Sequence, residues 1–154
     1  MKKIDIDRRK YPRYDTELKV YFQVKYDVRT KIKFQIMTND LEEGALHRYS
    51  GLSKNVSAEG ICFASKKRLG KGDILYIEVY EPKAKGPIRM EGQVHWSRKV
   101  PGTKEGDLFR TGVRLFSVNG KPIADSIYFD KKYKVIWSAV LDSVFGTFAA
   151  TKRG

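Results

Sequence analysis

A two-residue rhythm constrains this chain more than any other feature. Leu18, Val20, Phe22, Val24 and Tyr26 alternate with Lys19, Tyr21, Gln23 and Lys25. Successive side chains of an extended strand point to opposite faces, so this spacing makes a ribbon with one apolar and one polar side. After the turn "YDVRT", Ile32, Phe34 and Ile36 resume the alternation against Lys31, Lys33 and Gln35, which predicts a long antiparallel hairpin. "GICFAS", "ILYIEVY", "IRMEGQVHW" and "FRTGVRLF" follow, each short and bounded by Gly, Pro, Asp or Lys clusters. Short strands in such number close into a barrel or stack as a sandwich, so the fold class is all-β.

Both ends of the chain break the rhythm. Near the C-terminus, Tyr133, Ile136, Trp137, Val140, Leu141, Val144, Phe145 and Phe148 recur every three or four residues. That is the period of an amphipathic helix, predicted over residues 130–150 with Asp130 as its cap, and its apolar stripe needs a receiver such as an open barrel end. Near the N-terminus, "DRRKYPRY" (Asp7 to Tyr14) has no alternation. Pro12 would cost a helix interior about 3 kcal/mol and cannot donate to a central ladder, so residues 1–16 are predicted to be an exposed, extended and flexible arm. Residues 17–129 then form the barrel.

With 154 residues, 41% of them hydrophobic, the chain can build one real core. No apolar run approaches the ~20 residues that cross a bilayer, and "MKKIDIDRRK" lacks the apolar stretch of a signal peptide, so a cytoplasmic protein without a membrane span is expected. One cysteine, Cys62, precludes an internal disulfide and a thiolate metal site; within "GICFAS" it fits a small buried hydrophobe. His47 and His95 are the only histidines, and His95 falls on the polar phase of its strand with no Cys or acidic cluster at ligand spacing, so no metal is assigned. Neither a Ser-His-Asp order, a carboxylate pair nor a phosphate-cradling Gly-rich loop stands out, so no catalytic residue, no cofactor and no enzymatic activity are assigned. The 31 Lys+Arg against 18 Asp+Glu give a formal charge of +13, which favours an anionic partner.

Two short patterns narrow that partner. Arg9 and Arg13 form Arg-x-x-x-Arg in the arm, and Asn55, Ser57 and Gly60 form Asn-x-Ser-x-x-Gly at the entry to a strand. In this order, with "KGDILYIEV", "EGQVHW" and "RTGVRLF" behind them, they resemble the PilZ family of cyclic di-GMP receptors over residues 8–116. The resemblance implies a six-stranded antiparallel β-barrel followed by a helix, and it implies that Arg9, Arg13, Asn55, Ser57 and Gly60 bind cyclic di-GMP. The chemistry suits them. An arginine fork donates to guanine O6 and N7 together, while an amide and a hydroxyl meet the remaining edges and phosphate oxygens. Gly60 would allow either positive φ or close approach of the backbone to the ligand. Asn55 stands where the family often has Asp, which keeps the acceptor geometry and removes a charge.

Arg8, directly before the motif, matches relatives that bind the ligand as an intercalated dimer, so two molecules per chain are expected, with Arg8 on the second. The expected output runs through an unidentified downstream protein. The stretch from Tyr26 to Arg48, with "MTNDLEEGALH", is longer than a minimal PilZ domain requires and is either a partner surface or an elongated hairpin. Two alternatives stand beside this reading. One is a PilZ-fold adaptor that binds no ligand; the other is a barrel that binds single-stranded nucleic acid, against which the aromatics on the apolar phase argue.

Overall fold

The computed structural model describes residues 11–33, 48–83, 86–102, 106–131 and 135–145. In chain order these give β1 (Tyr14–Asp15), β2 (Lys19–Asp27), β3 (Ile32–Lys33), β4 (Tyr49–Val56), β5 (Gly60–Ser65), β6 (Ile74–Tyr80), β7 (Ile88–Lys99) and β8 (Phe109–Val118). Then come β9 (Lys121–Pro122), β10 (Tyr128–Asp130), β11 (Val135–Trp137) and the helix α1 (Ala139–Phe145). Six strands in the order β4-β5-β8-β7-β6-β2 pair antiparallel, and β2 pairs back onto β4 to close the barrel. The six-stranded PilZ-type barrel expected from the sequence is therefore what forms.

Register explains the closure. Val20 lies opposite Val79 and Phe22 opposite Ile77, while Ile77 faces Met90, Val94 faces Val113, and Val113 faces Ile61. Directly opposed residues share a face, so the alternating apolar residues all turn inward together. Phe22 and Phe63 meet across the interior with ring centroids 4.8 Å apart, and both are buried.

Two elements, the arm's end and the helix, differ from the sequence expectation. The arm's last residues are not free: Tyr14 pairs with Val56 and Asp15 with Asn55 at the outer edge of β4, with Pro12 kept out of the ladder. The hairpin after β2 is described as far as Lys33, with Tyr26 opposite Lys33; residues 34–47 lie outside the described residues.

The helix is shorter than 130–150. Asp130 sits in a strand and pairs with Val135, Phe129 pairs with Ile136, and Tyr128 with Trp137. A β-branched and aromatic run such as Val-Ile-Trp fits a pleated strand at least as well as a helix, and the hairpin claims it. The cap is Ser138 instead: its hydroxyl accepts from Val140 N at 3.2 Å. Residues 146–150 lie outside the described residues. Within the described residues the expected apolar stripe does bury, since Trp137, Val140, Leu141 and Val144 all join the core.

The element carrying them rests at the end of the barrel where β4 stops and β5 starts, because Ser138 Oγ also donates to the Ala58 carbonyl at 2.6 Å. Tyr14 closes the same corner, its ring edge-on to Trp137 at 5.6 Å and to Phe145 at 6.1 Å. No helix among the described residues is long and apolar enough to cross a membrane.

Candidate functional site

The second sequence motif occupies the β4–β5 turn. Ser57 N donates to Gly60 O at 2.9 Å, and Leu115 N donates to Glu59 O at 2.8 Å, so the turn is closed on itself and clamped to β8. Beside it a row of paired residues crosses the outside of the barrel, from Asn55 to Cys62, from Cys62 to Gly112, and from Gly112 to Trp96. Their neighbours Val56, Ile61, Val113 and Val94 are in the core, so this row faces outward.

Two bulges produce that outcome. Between Ser53 and Asn55, and again between Val94 and Trp96, two residues oppose one on the neighbouring strand. A bulge advances the side-chain phase by one residue, so Asn55 and Trp96 emerge where strict alternation would turn them inward. Trp96 then lies across Gly112, whose missing Cβ leaves the space that the indole occupies.

An open cleft of about 280 Å³ runs over this row. Arg13 borders it from the arm, Asn55, Ser57 and Gly60 from the turn, and Trp96 and Arg114 from β7 and β8. Four of the residues singled out in the sequence thus come together although more than forty positions separate Arg13 from Ser57. Arg8 and Arg9 lie outside the described residues. Of the two roles expected for Gly60, positive φ is excluded, because its backbone is not left-handed. The glycine instead fits tightly against its own neighbours: a Cβ there would come within 3.0 Å of Val113 O and 3.4 Å of Ser57 Oγ.

The electrostatics are positive. Arg13 and Arg114 are exposed at the rim, and Glu59 is the carboxylate on the lining. Burial pushes the Cys62 thiol up, and Arg110, Arg13 and Lys54 pull the other way without reversing it. A neutral, buried thiol is a poor nucleophile, so Cys62 acts as cleft floor, on the outer face and not in the barrel interior. His95 is exposed beside Trp96, His47 lies outside the described residues, and among the described residues no group of His, Cys, Asp and Glu is arranged to hold a metal ion.

Trp96, Arg114 and Tyr11 border the cleft without having been singled out from the sequence. For Arg114 the signal was present, since it occupies the polar phase of "RTGVRLF" opposite Gly60. Trp96 carried none, because its outward turn depends on the bulge at His95.

The family model described as PilZ domain matches residues 7–125. A comparison with curated proteins found no match. Among solved structures, the chain is similar to the Bacillus subtilis inhibitor of motility MotI/DgrA, with 20% identity and a TM-score of 0.48 over 75% of this chain and 46% of that one. It is also similar to the PilZ domain of Escherichia coli YcgR with c-di-GMP, with 15% identity and a TM-score of 0.44 over 72% of this chain and 79% of that one. The chain thus spans less than half the length of the MotI/DgrA chain.

Proposed function

This chain belongs to the PilZ domain family, a family of cyclic di-GMP receptors and adaptors, and from that premise we propose that it binds cyclic di-GMP in the Arg13–Asn55–Ser57–Gly60 cleft without chemical turnover. The observation that carries this reading is the meeting of Arg13 with Asn55, Ser57 and Gly60 at one electropositive cleft beside a tryptophan. Arg9 and Arg13 take guanine Hoogsteen edges with their forks, Asn55 and Ser57 take the remaining polar edges and phosphate oxygens, and Gly60 lets the ligand approach the strand. The Trp96 indole forms the opposite wall.

The described residues enclose about 280 Å³, the low end of the roughly 300–1,000 Å³ of small-molecule sites, which leaves the remaining enclosure to the arm. In this proposal the arm is the switch: residues before Tyr14 order over the ligand while Tyr14 stays anchored. Ordering about six residues costs roughly 6–12 kcal/mol of backbone entropy, so the arginine contacts must exceed that before affinity is seen. Arg8 extends the set to a second ligand molecule, bound as an intercalated dimer. The altered surface then engages a downstream protein in the cytoplasm.

Calorimetric titration with cyclic di-GMP tests this. Arg13→Lys keeps the charge but loses the fork, so it should bind at least about tenfold more weakly, roughly 1.4 kcal/mol. Equal affinity for the lysine variant would show that the arm acts through net charge alone. Absence of heat with the wild type would return the protein to the adaptor reading, and salt-sensitive binding of an oligonucleotide in its place would favour nucleic acid.

A further inference from the structure

The strand ends opposite α1 frame a second depression. It lies where β2 ends and β6 begins, has a volume of about 1150 Å³, and shares only the wall His95–Trp96 with the cleft. Arg29, Lys67, Arg68, Lys71 and Arg98 line it. Such a concentration of cations normally finds carboxylates. Lys25 and Glu91 pair at 3.0 Å, as do Lys99 and Asp107, and Arg48 reaches Glu78 at 3.5 Å. Among the described residues, none of the five groove cations has a carboxylate within 4.0 Å.

The two carboxylates in the groove are already in use. Asp73 accepts from Val28 N at 3.0 Å through one oxygen and from Gly70 N at 2.8 Å through the other. Asp27 accepts from Arg29 N at 2.9 Å and Thr30 N at 3.3 Å. Both hold turns closed at the groove's edge, and neither neutralises the cations.

The chemistry of the occupant follows from what the groove's aromatic rings are doing. Nucleic-acid grooves present open ring faces on which bases stack. Here Lys67 Nζ lies over the Tyr49 ring at 5.2 Å, and the same ring packs on Phe22 at 5.5 Å. Arg98 lies over Trp96 at 5.1 Å, and Gly112 sits beneath that indole. The rings serve as supports that hold cations outward, and the groove offers guanidinium and ammonium tips in place of stacking surface. Forked guanidinium groups match carboxylates bidentately.

We propose that this groove docks an acidic, carboxylate-rich segment of a partner protein. The inference does not depend on what the cleft binds, although the shared His95–Trp96 wall sets the two occupants side by side.

A fluorescein-labelled decaglutamate peptide at about 0.15 M salt provides the probe, read by anisotropy against oligothymidylate of equal charge. Lys67→Glu/Arg68→Glu should weaken peptide binding by about tenfold or more, and Arg29→Glu/Arg98→Glu, drawn from different elements, should do the same. Lys121→Glu/Lys131→Glu, an equal change in net charge on exposed residues outside the groove, should change it less than about threefold. Equal losses in all three variants would reduce the effect to overall charge and overturn the proposal. So would the absence of peptide binding to the wild type, or tighter binding of the oligothymidylate that the groove variants abolish.

Discussion

Replacing Ser138 by alanine tests how the C-terminal element is fastened to the barrel. The serine is fully buried, donates to Ala58 O at 2.6 Å and accepts from Val140 N at 3.2 Å, so one hydroxyl serves a loop carbonyl and a helix terminus together. Loss of an N-cap oxygen costs about 1 kcal/mol. Leaving the carbonyl of buried Ala58 without this donor adds about 1–3 kcal/mol. Ala139 N donates to Ser126 Oγ at 3.1 Å, so one early helix donor keeps its partner and the sum stays near the lower end.

Together these give about 2–4 kcal/mol, and at roughly 2–4 °C per kcal/mol for a chain of this size, a fall in Tm of about 4–16 °C. Thermal and urea unfolding of Ser138→Ala, with Ser143→Ala in the same helix as the control, measure it. A Ser138→Ala change below about 0.5 kcal/mol, or one equal to the control, would refute the double role of the hydroxyl.

Gly60→Val should weaken cyclic di-GMP binding by about tenfold or more, beyond the loss from Ser57→Ala, because the branched carbon is driven toward Val113 O while the alanine removes one hydroxyl; calorimetry on variants shown folded by circular dichroism reads the order, and the reverse order would contradict it. Burial raises the Asp142 carboxyl, against a hydrogen bond from Trp137, so the folded chain holds that proton more tightly than the unfolded chain and stability falls as pH rises through the window above the ordinary carboxylate range. Asp142→Asn should therefore unfold at a higher temperature than wild type at neutral pH and converge with it in acid; a lower midpoint at neutral pH would reverse the assignment. Arg8→Leu should reduce the calorimetric stoichiometry from two ligands per chain toward one, and a wild-type value of one, unchanged in the variant, would remove Arg8 from the site.

The barrel was legible because burial and strand period coincide. Val20, Phe22, Ile77, Val94 and Val113 are all on the predicted apolar phase, and all are in the core. Legibility stopped where one residue shifts the phase. Strict alternation from Val94 turns Trp96 inward, and the bulge at His95 that turns it outward depends on Gly112 across the strand, a long-range pairing that the local sequence does not encode. The C-terminal segment failed differently. Ile136 and Trp137 satisfy a helical stripe and a short strand equally, and the choice falls to pairing with Phe129 and Tyr128. Once that hairpin forms, the cap must move from Asp130 to Ser138, eight residues along. The convergence of Arg13 with Asn55 and Ser57 was legible only through family resemblance, since chemistry identified suitable side chains and no local rule brought them together.

The location of the site follows from the size of the barrel. About eight strands are needed before an interior has room even for one small ligand, and six strands close around a space that Phe22 and Phe63 already fill. A small-molecule site on such a barrel is therefore confined to the outside, where a sheet is ordinarily a flat, ridged surface with nothing to enclose a ligand. Here the outer row substitutes small for large at Gly60, Cys62 and Gly112, and raises walls at Trp96 on one side and at the Arg13 segment on the other. Those walls need rigid support. The Arg13 segment gets it from Tyr14, packed on Trp137 and Phe145, and the motif turn gets it from Ala58, held by Ser138. The Arg13 segment and the motif turn thus both lean on residues 137–145, so the C-terminal element fixes the spacing between arginine and turn as well as covering the barrel end.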